Sequence, residues 1–210
     1  MASNLPGSVR QFGVALRALL VFTAVLGIVY PLVMTGVAQA VFHSNANGSI
    51  VKVNGKDVAS DLIGQAYTKD SGKKDDKGNP IMVADPKWFQ TRPSASAYDA
   101  MASGGSNLGP NNSDLVAAID ERRKAVAELE GVDPSQVPPD AVTASGSGLD
   151  PNISPAYAAL QVNRVARERG LSVEQVQKLV KDNTEGRTLG FLGEPRVNVV
   201  RLNNALAALG

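Results

Sequence analysis

The stretch Ala18–Phe42, ALLVFTAVLGIVYPLVMTGVAQAVF, holds no charged side chain, and Arg17 closes it on the amino-terminal side. About 20 consecutive apolar residues, rising ~1.5 Å each, cross the ~30 Å of bilayer hydrocarbon. The run is long enough to span. Pro31 removes one backbone donor, a kink that membrane helices tolerate. A buried core helix would be shorter and would carry a polar stripe, and this run has none. A cleaved leader is the stronger competitor, because Ala38-Gln39-Ala40 has the small-x-small form of a cleavage site behind a basic segment with Arg10 and Arg17. The apolar part nevertheless exceeds the ~7–15 residues of a leader's hydrophobic region. The sequence therefore predicts one uncleaved anchor over 18–42, a short cytoplasmic segment over 1–17 and a folded domain over 43–210. Arg10 and Arg17 precede the span and the first acid in the chain is Asp57. Cytoplasmic retention of positive charge then places the amino terminus inside and the domain outside the cytoplasm.

Outward from the span, composition removes whole classes of chemistry. The 210 residues carry 21 Lys+Arg against 20 Asp+Glu, one histidine and no cysteine. Near-neutral charge argues against a nucleic-acid binder. Without cysteine there are no disulfides, thiolate zinc sites or iron–sulfur clusters. A single histidine, His43, leaves no multi-histidine metal site, so no metal is expected. Beside the span, His43 reads as an interfacial polar residue.

The remainder mixes strands and helices, an α+β or α/β extracytoplasmic domain with chain enough for one core. Ser49–Val53 followed by Asn54-Gly55 reads as a strand entering a tight hairpin turn. Residues 69–86, rich in Lys, Asp and Gly, read as a solvated loop and a probable insertion. Ser113 caps a helix that shows Leu115, Ile119 and Val126 to the core and residues 120–124 to water, and Gly131 ends it. Ser154-Pro155 starts a second helix, which runs to Gly170. Ser172 and Gln175 form a capping box for a third. Arg196–Val200 has strand composition, and Asn203 is placed to cap a short closing helix over 205–209.

Two glycine-rich loops, Ser103–Pro110 and Ser145–Pro151, invite a phosphate-binding reading. Neither ends in Gly-Lys-Ser/Thr, and Asp150-Pro151 breaks the dinucleotide spacing. They read instead as tight, backbone-dominated surfaces or partner contacts. Ser147 lacks the nucleophile elbow, and the only imidazole sits next to the span. A membrane-tethered exported enzyme using Ser145 or Ser147 thus has no base to serve it. A small-solute-binding protein, the remaining alternative, requires release by cleavage after Ala40.

Taken in order, the motifs resemble one family. They are the span, Leu62-Ile63-Gly64-Gln65, Trp88-Phe89 with Arg92-Pro93-Ser94-Ala95, Ser103–Pro110, Val142–Asp150, Gln161–Ala166 and Gly193-Glu194-Pro195-Arg196-Val197-Asn198-Val199 with Leu202-Asn203. The set, covering nearly the whole chain, is similar to the C subunits (KdpC) of Kdp potassium-transporting P-type ATPases. Residues 69–86 are longer than the usual spacing. Asn152 stands where many relatives have histidine, so no imidazole role carries over there.

The resemblance implies a non-catalytic accessory subunit in a bacterial cell (inner) membrane complex. A channel-like A subunit takes up K⁺ and a B subunit hydrolyses ATP through a phospho-aspartate. The C subunit assembles or stabilises the complex and acts as a catalytic chaperone that raises the B subunit's affinity for ATP. ATP is then a cofactor only in company with the B subunit, and Gln161 is the residue carried over for nucleotide contact. Orientation sets a constraint: Gln161 lies outside and ATP inside, so an effect on ATP affinity must be coupled across the membrane.

Overall fold

The computed structural model describes residues 6–53 and 55–209. The chain divides into two compact units, residues 1–49 and 50–210. In the first, α1 (Gly7–Ala24), a π-helical turn (Val25–Val29) and α2 (Tyr30–Val41) run on as one 35-residue helix, whose most apolar 18-residue stretch has a mean hydropathy of 2.3. None of its residues is buried. By length and composition it is a candidate membrane span, longer at its amino-terminal end than the charge-free run alone. The π turn has a local cause. Proline has no N–H, and its ring crowds the carbonyl four residues back, which here belongs to Gly27. The ladder widens just before it, and Tyr30 N–H donates to the Val25 carbonyl. A short α3 (His43–Ala46) follows, and Asn47 just past its end donates from Nδ2 to the His43 carbonyl.

The second unit is α+β. Its core helices are α4 (Ser113–Glu130), α5 (Pro155–Arg169), α6 (Val173–Asp182) and α7 (Val199–Ala207). A small antiparallel sheet in the order β5-β7-β6 joins β5 (Asn152–Ile153), β6 (Thr184–Glu185) and β7 (Arg196–Asn198). Tyr157, Val165, Val176, Val197, Leu202 and Leu206 meet in one core with Phe89. Side-chain caps set the helix starts. Ser154 Oγ accepts from Tyr157 N–H, and Ser172 forms a capping box with Gln175. Gly131 and Gly170 end α4 and α5 in the left-handed conformation that glycine adopts without a Cβ penalty.

Three local expectations need correction. The α4 cap is Asn112, whose side chain accepts from Asp114 and Leu115 N–H, not Ser113. Arg122 does not simply face water, since it donates to the Val142 carbonyl at 3.1 Å. The closing helix starts at Val199 under an Asn198 cap, which leaves Asn203 inside it and buried.

The hairpin β1 (Ile50–Val53) and β2 (Lys56–Ser60) is antiparallel, with Val53 opposite Lys56 and Gly55 at φ 78°. Asn54, the first residue of the expected turn, lies outside the described residues. Residues 69–86, expected as a loop, instead form most of a second hairpin, β3 (Thr68–Lys74) paired with β4 (Pro80–Ala84). Its turn is held by Asp75, whose carboxylate accepts from Lys77 N–H at 2.9 Å and Asn79 N–H at 2.8 Å. These hydrogen bonds hold the Asp75 carboxyl below its ordinary value. The strands remain well solvated.

Candidate functional site

The motifs lie in separate elements, but the fold brings most of them to two neighbouring constructions in the domain. In the first, the segment Pro86–Gln90 passes through the core with no strand beside it. Buried backbone groups without partners are costly, so each must be met by something. Polar side chains on two helices meet them. From α7, Asn203 accepts from Phe89 N–H at 3.0 Å and donates to the Phe89 carbonyl at 2.9 Å. From α5, Gln161 Oε1 accepts from Gln90 N–H at 2.6 Å, and Nε2 donates to the Gln90 carbonyl at 3.1 Å. Each amide thus stands in for a neighbouring strand. One turn along α5, Arg164 Nη1 donates to the Pro86 and Trp88 carbonyls. Its Nη2 donates to Gln161 Oε1 at 2.8 Å.

Arg164 also pairs with Glu130 at the end of α4, with both Nε–carboxylate distances at 3.0 Å and both side chains fully enclosed. Burial pushes the Glu130 carboxyl above its ordinary value, and the hydrogen bonds and charge of Arg164 offset that only in part. Burial likewise raises the phenols of Tyr67, Tyr98 and Tyr157, so none of them is a base near neutral pH. Trp88 closes the outer side, with the Arg169 guanidinium 4.7 Å above its ring.

The second construction joins the two glycine-rich loops. Gly104 N–H donates to the Ser147 carbonyl at 2.8 Å and Ser145 N–H to the Pro93 carbonyl at 3.0 Å. Ser94 Oγ donates to the Gly148 carbonyl at 2.7 Å, and Gly64 N–H to the Leu149 carbonyl at 2.8 Å. Space explains the glycines. A Cβ on Gly148 would fall 2.7 Å from the Gly104 carbonyl oxygen, and one on Gly64 would fall 2.8 Å from that of Asp150. Beside this interlock Arg92 pairs with Asp150 at 3.1 Å, and Tyr98 donates to the Arg92 carbonyl.

The loops therefore fill their own concavity with backbone. Ser145 Oγ accepts from Ser147 N–H at 3.2 Å and Gly148 N–H at 3.1 Å, which makes it a turn serine. His43 lies in the other unit, its ring 3.4 Å from Asn47 Nδ2. A polar cleft of about 340 Å³ does gather Arg92, Asp140, Asp150, Glu194 and Arg196. Its carboxylates are occupied, however. Asp140 holds the start of α5 through Ser154 N–H and Oγ, Asp150 holds Arg92 and Asn152, and Glu194 pairs with Arg187. Among the described residues no three His, Cys, Asp or Glu side chains stand close enough to hold a metal.

Of the residues singled out from sequence, Gln161 is central to the first construction and wholly enclosed there. Ser145 and Ser147 belong to the second. Arg164, Asn203 and Glu130 were not picked out as functional. The one available sign was polar residues at core spacing on α5, where Gln161, Arg164 and Val165 share a face at i, i+3 and i+4.

Comparison with known proteins follows the same pattern. The KdpC family model, described as K⁺-transporting ATPase, c chain, matches residues 12–208. The potassium-transporting ATPase KdpC subunit of Streptomyces avermitilis is 47% identical over 222 residues, covering 100% of this chain and 98% of the relative. That of Kineococcus radiotolerans is 49% identical over 208 residues, covering 98% and 97%. That of Methylococcus capsulatus is 48% identical over 204 residues, covering 96% and 99%.

Proposed function

The chain belongs to the KdpC family of K⁺-transporting ATPase c chains, and from that premise we propose that it is a non-catalytic, membrane-anchored accessory subunit of an ATP-driven potassium importer. The observation that carries the reading is similarity along the full length, span and domain together, at 47–49% identity. The domain's interior supports it. The enclosed Gln161, Arg164 and Asn203 hold backbone groups, and among the described residues no nucleophile, base and oxyanion donor converge.

In this reading the partners are a channel-like A subunit and an ATP-hydrolysing B subunit. The amino terminus with Arg10 and Arg17 is cytoplasmic, and the domain faces the exterior. The chain assembles the complex and raises the ATP affinity of the B subunit by contacting two states of its partners with different free energies. Gln161 enters as a positioning residue. Direct contact with nucleotide would require its amide to leave Gln90 and Arg164, exposing buried backbone that costs about 1–3 kcal/mol per unsatisfied group.

Co-purification from mildly solubilised membranes tests the proposal. Tagged chain is expected to bring down a P-type ATPase chain and a channel-like chain, and its deletion is expected to abolish growth at limiting K⁺. Recovery of the chain alone, with no K⁺-linked phenotype, overturns it. If ATP photo-labels the isolated chain, and Gln161→Leu abolishes the labelling, direct contact replaces coupling across the membrane.

A further inference from the structure

Between β6 and β7 the chain makes a tight turn, Arg187–Glu194. It displays apolar side chains: Leu189 is 80% exposed, Phe191 68% and Leu192 50%. Exposed apolar residues scattered singly are ordinary, whereas three on one turn are not.

The turn is also stiff. Thr188 and Leu192 exchange backbone hydrogen bonds at 2.9 and 3.0 Å, and Gly190 N–H donates to the Arg187 carbonyl at 3.1 Å. Arg187 and Glu194 close the base with an ion pair at 2.7 Å. Leu189 sits at φ 55°, a left-handed conformation unfavourable to a side-chain-bearing residue, and Gly190 and Gly193 follow at 83° and 77°. β7 then runs directly into the core through Val197 and Asn198. Little ordering is left to occur when such a tip binds something, which favours affinity.

The charges at its base decide what it fits. A tip that inserts among lipid headgroups carries cations free to meet phosphates. Here Arg187 is paired with Glu194, and Glu185 is shared by Arg196 and Arg201, the latter also paired with Asp61, so three arginines meet three carboxylates and the rim is neutral. A neutral, ion-paired rim around an apolar centre is instead the anatomy of a protein-binding anchor. Size excludes a self-sufficient dimer contact. One phenylalanine and two leucines fall well short of the ~800 Å² per partner of a stable interface. The tip suits one anchor in a larger assembly.

We infer that the Leu189–Leu192 tip docks in an apolar crevice on another chain of the same potassium-transporting ATPase. The inference rests on the subunit reading above and adds to it the surface and the chemistry of its partner.

The test uses the membrane-embedded complex. With Leu189→p-benzoylphenylalanine in the full chain, irradiation is expected to give an adduct with the channel-like or ATPase chain, identified by mass spectrometry. In parallel, the pair Leu189→Asp and Phe191→Asp is expected to reduce retention of those chains in a mild-detergent pull-down by about tenfold or more, as loss of anchor residues does. The thermal midpoint of the domain is expected to stay nearly unchanged, because these side chains are largely exposed and lie outside its core. Cross-linking to lipid, to a second copy or to nothing overturns the inference, and so does undiminished retention. Should the double variant melt early, the cross-link alone decides. If the wild-type chain itself retains no ATPase chain, the subunit reading falls and this inference falls with it.

Discussion

Around Pro86–Gln90 the domain buries backbone by sending polar side chains to it, whereas around Gly64, Gly105 and Gly148 it packs backbone closely by removing side chains. The first region depends on Gln161, Arg164 and Asn203 reaching across 71 to 114 residues of sequence. The second depends on carbonyls and N–H groups approaching to 2.8 Å where a Cβ would collide. Both answer one requirement, that buried N–H and C=O groups find partners, in a domain whose central sheet has strands of only two and three residues. The difference shows in what a substitution does. Losing a side chain should damage the first region, and gaining one should damage the second wherever the new Cβ meets a neighbouring carbonyl, as at Gly64, Gly105 and Gly148.

The largest effect is expected at Arg164. Arg164→Met leaves the Glu130 carboxylate enclosed with no cation, a loss of about 3–5 kcal/mol. For a domain of this size that lowers the thermal midpoint by roughly 10 °C, read by circular dichroism. The pH dependence follows from the Glu130 shift. Burial raises its folded-state carboxyl above the ordinary 4.5, and removing Arg164 raises it further, because Arg164 was the opposing influence. The folded variant therefore holds a proton that the unfolded chain has released. Its stability is greatest below pH 4.5 and falls as pH rises through the folded-state value. The gap to wild type is expected to narrow toward acid pH, and Glu130→Gln in the same chain should recover part of the loss. A pH-independent gap would mean that Glu130 is not charged in the wild type.

Gly148→Ala makes the opposite kind of change. At φ 71° the new Cβ would stand 2.5 Å from Ser96 Oγ and 2.7 Å from the Gly104 carbonyl oxygen. Left-handed strain and overpacking together should cost about 3 kcal/mol. Retention of wild-type stability would show that the loops can part freely and that the interlock is not needed for folding. Gln161→Ala should cost somewhat less, about 2 kcal/mol, since it strips partners from one buried N–H and one carbonyl and leaves a cavity the rest can partly close. Gln161→Glu separates the roles further. It keeps the acceptor for Gln90 N–H and Arg164 but loses the donor to the Gln90 carbonyl, so stability should lie between wild type and Gln161→Ala.

The two regions were not equally legible in the sequence. Glycine says what it is for. Gly131 and Gly170 mark helix ends, and the Gly-Ser runs at 103–106 and 145–148 read as backbone-dominated surfaces because nothing else in them could pack. Serine caps are as local, since Ser172 and its partner Gln175 are three residues apart. The clamp was hidden because its members are local to nothing. Asn203 lies 114 residues from the backbone it holds, and on its own helix it looks like a capping residue. Arg164 and Glu130 lie on different helices, 34 residues apart, and since charged side chains are mostly exposed nothing local marks them as an enclosed pair. The β3–β4 hairpin escaped for a related reason. Its strands stay exposed, so no apolar alternation marks them, and Asp75 rather than an Asn-Gly pair shapes its turn.

The smallest expected effect is the sharpest test of the comparison, because its sign reverses within one loop. Gly105 and Gly104 are neighbours. A Cβ on Gly105 would lie 3.0 Å from the Gly146 carbonyl oxygen, so Gly105→Ala forces that loop to give and should cost about 1 kcal/mol. Nothing stands within 4 Å of a Cβ on Gly104, and its φ lies outside the left-handed region. Gly104→Ala leaves the bond from its N–H to Ser147 in place and removes freedom only from the unfolded chain. It is therefore expected to stabilise the domain by about 0.4–1 kcal/mol. Urea titrations of the two variants with equal slopes would show the signs directly. If both alanines destabilise alike, then glycine serves this loop through flexibility and not through close approach, and the contrast with the side-chain clamp loses its physical basis.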